Sequence, residues 1–193
     1  MIRLKLLSLF IFTSSLLFSQ SIISSSAGTI IGFNYEESEL WKYKIKTTPS
    51  VGVYLYLNYE YRFTKPYFIR VKLGIAQHYS QFTINNSTIE GYNYTFDFPL
   101  LIGYHLDNKF DFELGASIQD YREREDFAMI KSYNMRVNFV AGILYRFNSK
   151  WAIEFVFSRM LSEKVDAFVI KNYTDHFRLG IKYSIYSFKK NTK

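Results

Sequence analysis

Apolar and polar residues alternate with a period of two over most of the chain. Between Val51 and Phe63 every odd position is apolar or aromatic, whereas the even positions include glycine and charged residues. The same alternation occurs in eight segments, which are 31–35, 51–63, 67–75, 94–104, 110–118, 133–147, 151–157 and 177–185. No apolar phase contains a charged residue, although 21% of the chain is charged. This alternation is typical of strands with two different faces, so the sequence predicts an all-β fold of eight strands.

The opposite phase of these strands collects charges of both signs. In a soluble protein these charges would face water, whereas in a membrane barrel they would face a polar lumen and pair with each other. The residues that we expect in a lumen ion-pair network are Glu60, Arg62, Arg70, Lys72, Asp97, Asp111, Glu113, Arg136, Arg146, Glu154, Arg178 and Lys182. Glycines share this phase at Gly32, Gly52, Gly74, Gly103, Gly115, Gly142 and Gly180. We expect them to make room for long charged side chains in a narrow lumen.

The connections between the strands alternate in length. Residues 64–66, 107–109 and 148–150 are short turns, whereas 36–50, 79–92, 120–132 and 162–173 are each longer than ten residues. Transmembrane barrels have short periplasmic turns and longer loops on the outer side. The spacing therefore predicts an eight-stranded antiparallel up-and-down transmembrane β-barrel.

Aromatic residues gather beside the short turns and the end of the last strand. Tyrosine and tryptophan suit a membrane interface because their rings are partly apolar and partly able to bind water or headgroups. The predicted interface residues are Tyr59, Tyr61, Phe63, Tyr67, Tyr104, Phe110, Tyr145, Phe147, Trp151 and Tyr183.

The N-terminus has the pattern of a secretory signal peptide. Arg3 and Lys5 precede an apolar stretch over 6–18, and a tract of small residues follows. We assign 1–20 to the signal peptide with cleavage between 20 and 28, 27–188 to the barrel, and 189–193 to a polar tail. The expected location is the outer membrane of a diderm bacterium.

Composition removes several other classes of protein. The chain has no cysteine, which excludes disulfide scaffolds and thiolate metal sites. The formal net charge of +7 comes from scattered residues and not from a basic run, so we expect no nucleic-acid partner.

Three segments resemble those of a known family of proteins. They are Tyr59-Glu60-Tyr61-Arg62-Phe63 before a proline-containing turn, Phe96-Asp97-Phe98-Pro99-Leu100-Leu101-Ile102-Gly103-Tyr104, and Gly142-Ile143-Leu144-Tyr145-Arg146-Phe147. They are similar to bacterial outer-membrane β-barrel domain proteins, including the PorT-like group. The resemblance implies the fold, the outer-membrane location and insertion by the barrel-assembly machinery. Members of the family often end on an aromatic residue, whereas here Phe188 is followed by 189–193.

Few residues suggest chemistry. His78 and His176 fall near the long-loop end and could approach each other, with Ser80 beside the first, but no metal-ligand spacing or nucleophile motif accompanies them. We assign no catalytic, metal-binding or cofactor-binding residue and expect no cofactor.

The preferred interpretation is a non-enzymatic outer-membrane barrel with an ion-paired lumen and a structural or partner-binding role, in adhesion or secretion. Its partners would be outer-membrane lipid and a protein bound through the loops, with Trp41 and Phe127 as possible anchors. A secreted lipocalin-like barrel around a small apolar ligand is the first alternative. An outer-membrane lipid-modifying enzyme that uses His78 and His176 is the second.

Overall fold

The computed structural model describes residues 20–38, 46–64, 66–84, 87–123, 134–161 and 170–188. No helix that is long and apolar enough to cross a membrane occurs in these ranges. The strands are β1 (Gln20–Ser38), β2 (Lys46–Thr47), β3 (Ser50–Thr64), β4 (Tyr67–Ile84), β5 (Ser87–His105), β6 (Phe110–Glu123), β7 (Asn134–Arg146), β8 (Trp151–Met160) and β9 (Ile170–Phe188).

Eight of these strands form a closed ring. From β3 to β9 each strand pairs antiparallel with the next along the chain, and β1 pairs with both β3 and β9. The two-residue β2 pairs only with β4, outside the ring. Because the ring is closed, every one of its strands has a partner on both sides. Strands in lipid need such closure, since hydrocarbon offers no hydrogen bonds to an unpaired edge. The prediction of an eight-stranded antiparallel up-and-down barrel is confirmed.

Several strands are longer than the alternation suggested. β1 starts at Gln20 and not near residue 31, and it pairs through Ser21 with Phe188. The expected long connection over 79–92 is wrong, because β4 continues to Ile84 and β5 starts at Ser87. Long connections remain between β1 and β3, between β6 and β7, and between β8 and β9. We call this end of the barrel the loop end, and the end with the three short turns and the start of β1 the turn end.

The two faces of the barrel are the reverse of those of a soluble protein. The apolar phase faces outward, with Val53 58% exposed and Leu55 54% exposed, whereas Glu60 and Arg70 on the polar phase are buried. The lipocalin-like alternative needs the apolar phase inside, around a ligand, so the structure rejects it. An apolar exterior of this kind belongs in lipid.

One irregularity lies in the pairing of β4 with β5. The register pairs Val71 with Leu100 and then Gly74 with Asp97, leaving the positions around Pro99 without pairs. Proline has no N–H to donate to the ladder, which accounts for the interruption. On its other side β5 pairs continuously with β6 through Pro99 and Ser117.

Candidate functional site: the ion-paired lumen and its rims

Arg70 is the centre of the larger lumen network. Its side chain is fully buried, and its guanidinium donates from Nη2 to Glu60 at 2.5 Å and from Nη1 to Glu113. Asp111 lies 3.8 Å from the same group. A guanidinium presents its donors in a planar fork, which suits it to bind two carboxylates at once.

Lysine side chains extend this network toward β8 and β9. Lys72 Nζ lies 2.8 Å from Glu113 and 3.4 Å from Glu154, so it joins carboxylates on two strands. Lys182 Nζ lies 3.2 Å from Glu60. Each buried charge of this network therefore has an opposite charge in contact, which is the condition under which ions tolerate burial.

The network continues to the rim at the turn end. Arg146 Nη2 donates to Asp111 at 2.5 Å, and His105 Nδ1 lies 2.6 Å from the other oxygen of that carboxylate. Arg62 Nε donates to Glu60 at 2.6 Å. Arg62 and Arg146 are about one-quarter and one-fifth exposed, so the network ends at the mouth of the barrel.

A smaller cluster occupies the lumen nearer the loop end. Arg178 Nη1 donates to Asp97 at 2.9 Å and to the hydroxyl of Tyr56, which itself donates to Asp97 at 2.5 Å. Arg136 is also buried on this side and lies close enough to His78 and His176 to interact electrostatically with them.

Two tyrosines connect the clusters, and neither was predicted from the sequence. Tyr54 donates to Glu154 at 2.9 Å, and the rings of Tyr54 and Tyr56 lie 5.4 Å apart. Both tyrosines occupy the polar phase of β3, where a large aromatic residue differs from its glycine and charged neighbours. Their position among glycine and charged residues was the sequence feature that could have predicted their place in the lumen.

The lumen glycines more often make room for aromatic rings than for charged side chains. A Cβ at Gly74 would collide with the ring of Tyr56, and one at Gly103 with the ring of Phe68. Each of these rings belongs to the residue paired with the glycine across the two strands. At Gly142 the neighbour is the Glu113 side chain, as the sequence analysis expected.

His78 and His176 do approach each other, with ring centroids 5.0 Å apart. Both are buried in the lumen, and Nδ1 of each lies without a hydrogen-bond partner among the described residues. Ser80 accepts a bond from Asn93 at 3.1 Å. The pair is enclosed by the barrel wall, so it does not face the lipids that a lipid-modifying enzyme would need to reach.

The predicted interface aromatics lie at the turn end and contact each other in pairs. Tyr67 faces Tyr104 with centroids 5.4 Å apart, and Trp151 faces Tyr183 at 4.6 Å. The remaining contacts join Phe110 to Tyr145, Tyr145 to Phe147, and Tyr61 to Phe63. Tyr59 forms a hydrogen bond of 3.0 Å with Ser21.

A second aromatic group, which was not predicted from the sequence, lies toward the loop end. Tyr79 pairs with Tyr92 across β4 and β5, with centroids 5.4 Å apart. From Tyr67 to Tyr79 the strand rises about 40 Å, or about 30 Å across a membrane at the roughly 40° tilt of such barrels. This spacing matches a hydrocarbon core of about 30 Å. The missed group lay in the segment interpreted as a loop.

Some predicted residues fall outside the described residues. Trp41 and Phe127, the candidate loop anchors, are among them, as are 1–19 of the signal peptide and the tail at 189–193.

Solved structures share this architecture. The outer membrane protein OprG from Pseudomonas aeruginosa aligns with a TM-score of 0.59 and 11% identity, over 89% of this chain and 97% of OprG. Ail, the attachment invasion locus protein of Yersinia pestis, in complex with the heparin analogue sucrose octasulfate, aligns with a TM-score of 0.54 and 17% identity, over 88% of this chain and 99% of Ail. No family model matches the chain. No curated protein matches it either.

At these identities the likeness shows the fold alone. The fold is that of an eight-stranded outer-membrane β-barrel. The apolar exterior and the two aromatic groups fit the same class of protein. The protein is therefore located in the outer membrane.

Proposed function

We propose that the protein is a closed, non-enzymatic barrel that acts through its loop end by binding a partner. The filled lumen is the observation that carries this proposal. Large side chains such as Phe68, Arg70 and Leu144 are fully or almost fully buried inside the barrel. A lumen filled with packed and paired side chains is suited to support a scaffold, and it leaves the two ends available for function.

The turn end faces the periplasm in this proposal and the loop end faces outward. Export by the signal peptide and insertion by the barrel-assembly machinery give this orientation, as in other barrels with short periplasmic turns. Aromatic residues at the centre of an interface often supply much of its binding energy, which makes Trp41 and Phe127 the residues to test.

Two similarities to other proteins support particular roles for the loop end. Ail is an attachment invasion locus protein by name, which supports an adhesive role for a barrel of this fold. The resemblance of three segments to the PorT-like group supports a role in secretion instead. In this proposal, either role acts through a protein or surface bound at the loop end.

In vivo photo-crosslinking tests this proposal. A photoreactive residue at position 41 or 127 should form a discrete adduct in intact cells, and the same residue at Phe147 on the turn end should not form that adduct. Trp41→Ala and Phe127→Ala should reduce the adduct formed from the other loop position, while heat-modifiable migration shows that the barrel is still folded. Equal adducts at all three positions, or none at either loop position, would contradict partner binding through the loops.

A further inference from the structure

A cavity lined by both charged and apolar residues opens at the turn end of the lumen. Its volume is about 690 Å³, which is within the range of small-molecule sites. The cations along its wall are Arg62, Lys109, Arg146, Lys150 and Lys182, whereas Glu60 is its only acidic wall residue among those that the structure describes. The remaining lining residues include Leu144, Trp151 and Ile185.

Two of these cations, Lys109 and Lys150, are held in position by matching turns. The backbone N–H of Lys109 donates to the Asp107 side chain at 2.7 Å, and that of Lys150 donates to the Asn148 side chain at 2.8 Å. The carbonyl of Lys109 accepts from Arg146 N at 2.7 Å, and that of Lys150 accepts from Ser184 N at 2.8 Å. The backbones of both lysines are therefore fixed on each side at the rim of the cavity.

Among the described residues, neither rim lysine forms a salt bridge, although Lys109 interacts electrostatically with Asp107. Deeper in the cavity, Glu60 pairs with Arg62, Arg70 and Lys182, and Arg70 also pairs with Glu113. The turn-end network, within the described ranges, contains four carboxylates, Glu60, Asp111, Glu113 and Glu154, and five cations, Arg62, Arg70, Lys72, Arg146 and Lys182. With the two rim lysines and Asp107, whose carboxylate lies in the same turn as Lys109, the excess is two positive charges.

An anion from another molecule would balance this excess of positive charge. A phosphate group fits best, because its several oxygens can accept from ammonium and guanidinium groups together and its charge can approach −2.

We propose that the turn-end cavity is a binding site for the phosphate group of an anionic ligand, held by Lys109, Lys150 and Arg62. The phosphate can belong to a lipid headgroup of the adjoining leaflet or to a soluble phosphorylated compound, and the apolar wall around Trp151 accommodates the rest of either ligand. This site goes beyond the proposed function, because it lies at the end of the barrel opposite the loops.

Calorimetric titration of the purified mature protein in non-ionic detergent with pyrophosphate tests the soluble source. Saturable one-to-one binding is expected. Lys109→Gln and Lys150→Gln should each raise Kd roughly threefold, and the double variant about tenfold, as expected for exposed charge pairs. The matched control is Arg159→Gln, which removes the same charge from an exposed pair with Asp175 near the loop end and should leave Kd unchanged.

Native mass spectrometry tests the lipid source. The protein is released in the mass spectrometer from nanodiscs that contain phosphatidylglycerol or only phosphatidylcholine. The wild-type protein should retain bound phosphatidylglycerol, and the double variant with Lys109→Gln and Lys150→Gln should lose it. Binding of either probe that depends on the rim lysines supports the site and identifies its source. Absence of saturable binding of both probes, or equal losses in Arg159→Gln and the lysine variants, would overturn it. Since neither assay involves the loops, failure here is distinguishable from failure of the proposed partner binding.

Discussion

At the scale of single residues, the lumen depends on a few buried charges that each serve several partners. Arg70 contacts Glu60 and Glu113, and all three side chains are buried. Arg70→Met would leave both carboxylates without their main partner in a medium of low dielectric. We expect it to reduce the free energy of unfolding by about 3–5 kcal/mol, measured by guanidinium titration in detergent with tryptophan fluorescence.

Arg159→Gln is the control for this comparison. Arg159 is 61% exposed, and its pair with Asp175 should contribute about 0–1 kcal/mol. If the two variants unfold at the same guanidinium concentration, the Arg70 network does not stabilise the fold.

Some of the lumen residues could be predicted from the sequence and others could not. The charged lumen residues could be predicted because a charged side chain on a membrane-spanning strand avoids hydrocarbon only by facing the lumen. Tyr54, Tyr56 and Phe68 could not, because an aromatic residue suits either face of a strand. Their inward positions depend on Gly74, Gly103 and Gly180 across the strands, a relation that needs the register and cannot be read from one strand.

At the scale of the elements, two turns use the same hydrogen-bonding device with different chemistry. The Asp107 carboxylate accepts from the N–H groups of Phe110 and Lys109, which lowers its pKa below the ordinary value. Asn148 accepts the equivalent bonds in the next turn and does not titrate. The Asp107 contribution to stability should thus be complete above its unfolded pKa of about 4 and be lost as pH falls through the lower folded pKa.

Asp107→Asn keeps an acceptor in place and should remove this part of the pH dependence. Unfolding curves between pH 2 and pH 7 should show a smaller loss of stability on acidification for Asp107→Asn than for the wild type. An Asn148→Ala variant, which lacks its acceptor at every pH, should be destabilised by a similar amount throughout. Identical acid profiles for Asp107→Asn and the wild type would show that the carboxylate contributes nothing.

Strand ends were the part of the fold that the sequence predicted least well. Alternation is visible where one face meets lipid and the other meets the lumen, and it fades where both faces meet water. β4 and β5 continue through such a region, from Tyr79 to Ile84 and from Ser87 to Tyr92. The first half of β1 was missed for a related reason, since its serines between 21 and 26 carry no apolar signal.

The extent of β1 leads to a prediction about maturation. Residues 21–27 pair with β3 on one side and β9 on the other, and Ser24 and Ser26 are buried in the lumen. Cleavage after Ala27 would remove this half strand and leave both neighbours with unpaired backbone groups. We expect the signal peptidase to cleave near Gln20, so that N-terminal sequencing of the mature protein starts at residue 20 or 21. A mature chain that starts at Gly28 would contradict this pairing.

At the scale of the whole molecule, the lumen and the exterior have opposite requirements that one alternating sequence satisfies. Eight strands enclose a space only wide enough for side chains, and here Arg70, Phe68 and Leu101 occupy it without exposure. Ions would have to displace paired charges in order to pass. The filled lumen is therefore expected to block conduction as well as to stabilise the wall.

Planar-bilayer recordings test this expectation. The mature protein in 1 M KCl should give no discrete conductance steps, under conditions in which a 16-stranded porin does. Arg70→Ala together with Phe68→Ala removes two of the largest side chains from the turn half of the lumen, and this variant should give brief openings if it still shows heat-modifiable migration. Regular steps from the wild-type protein would mean that a water-filled path passes Arg70, and the role of the barrel would then be transport through the lumen instead of binding at its ends.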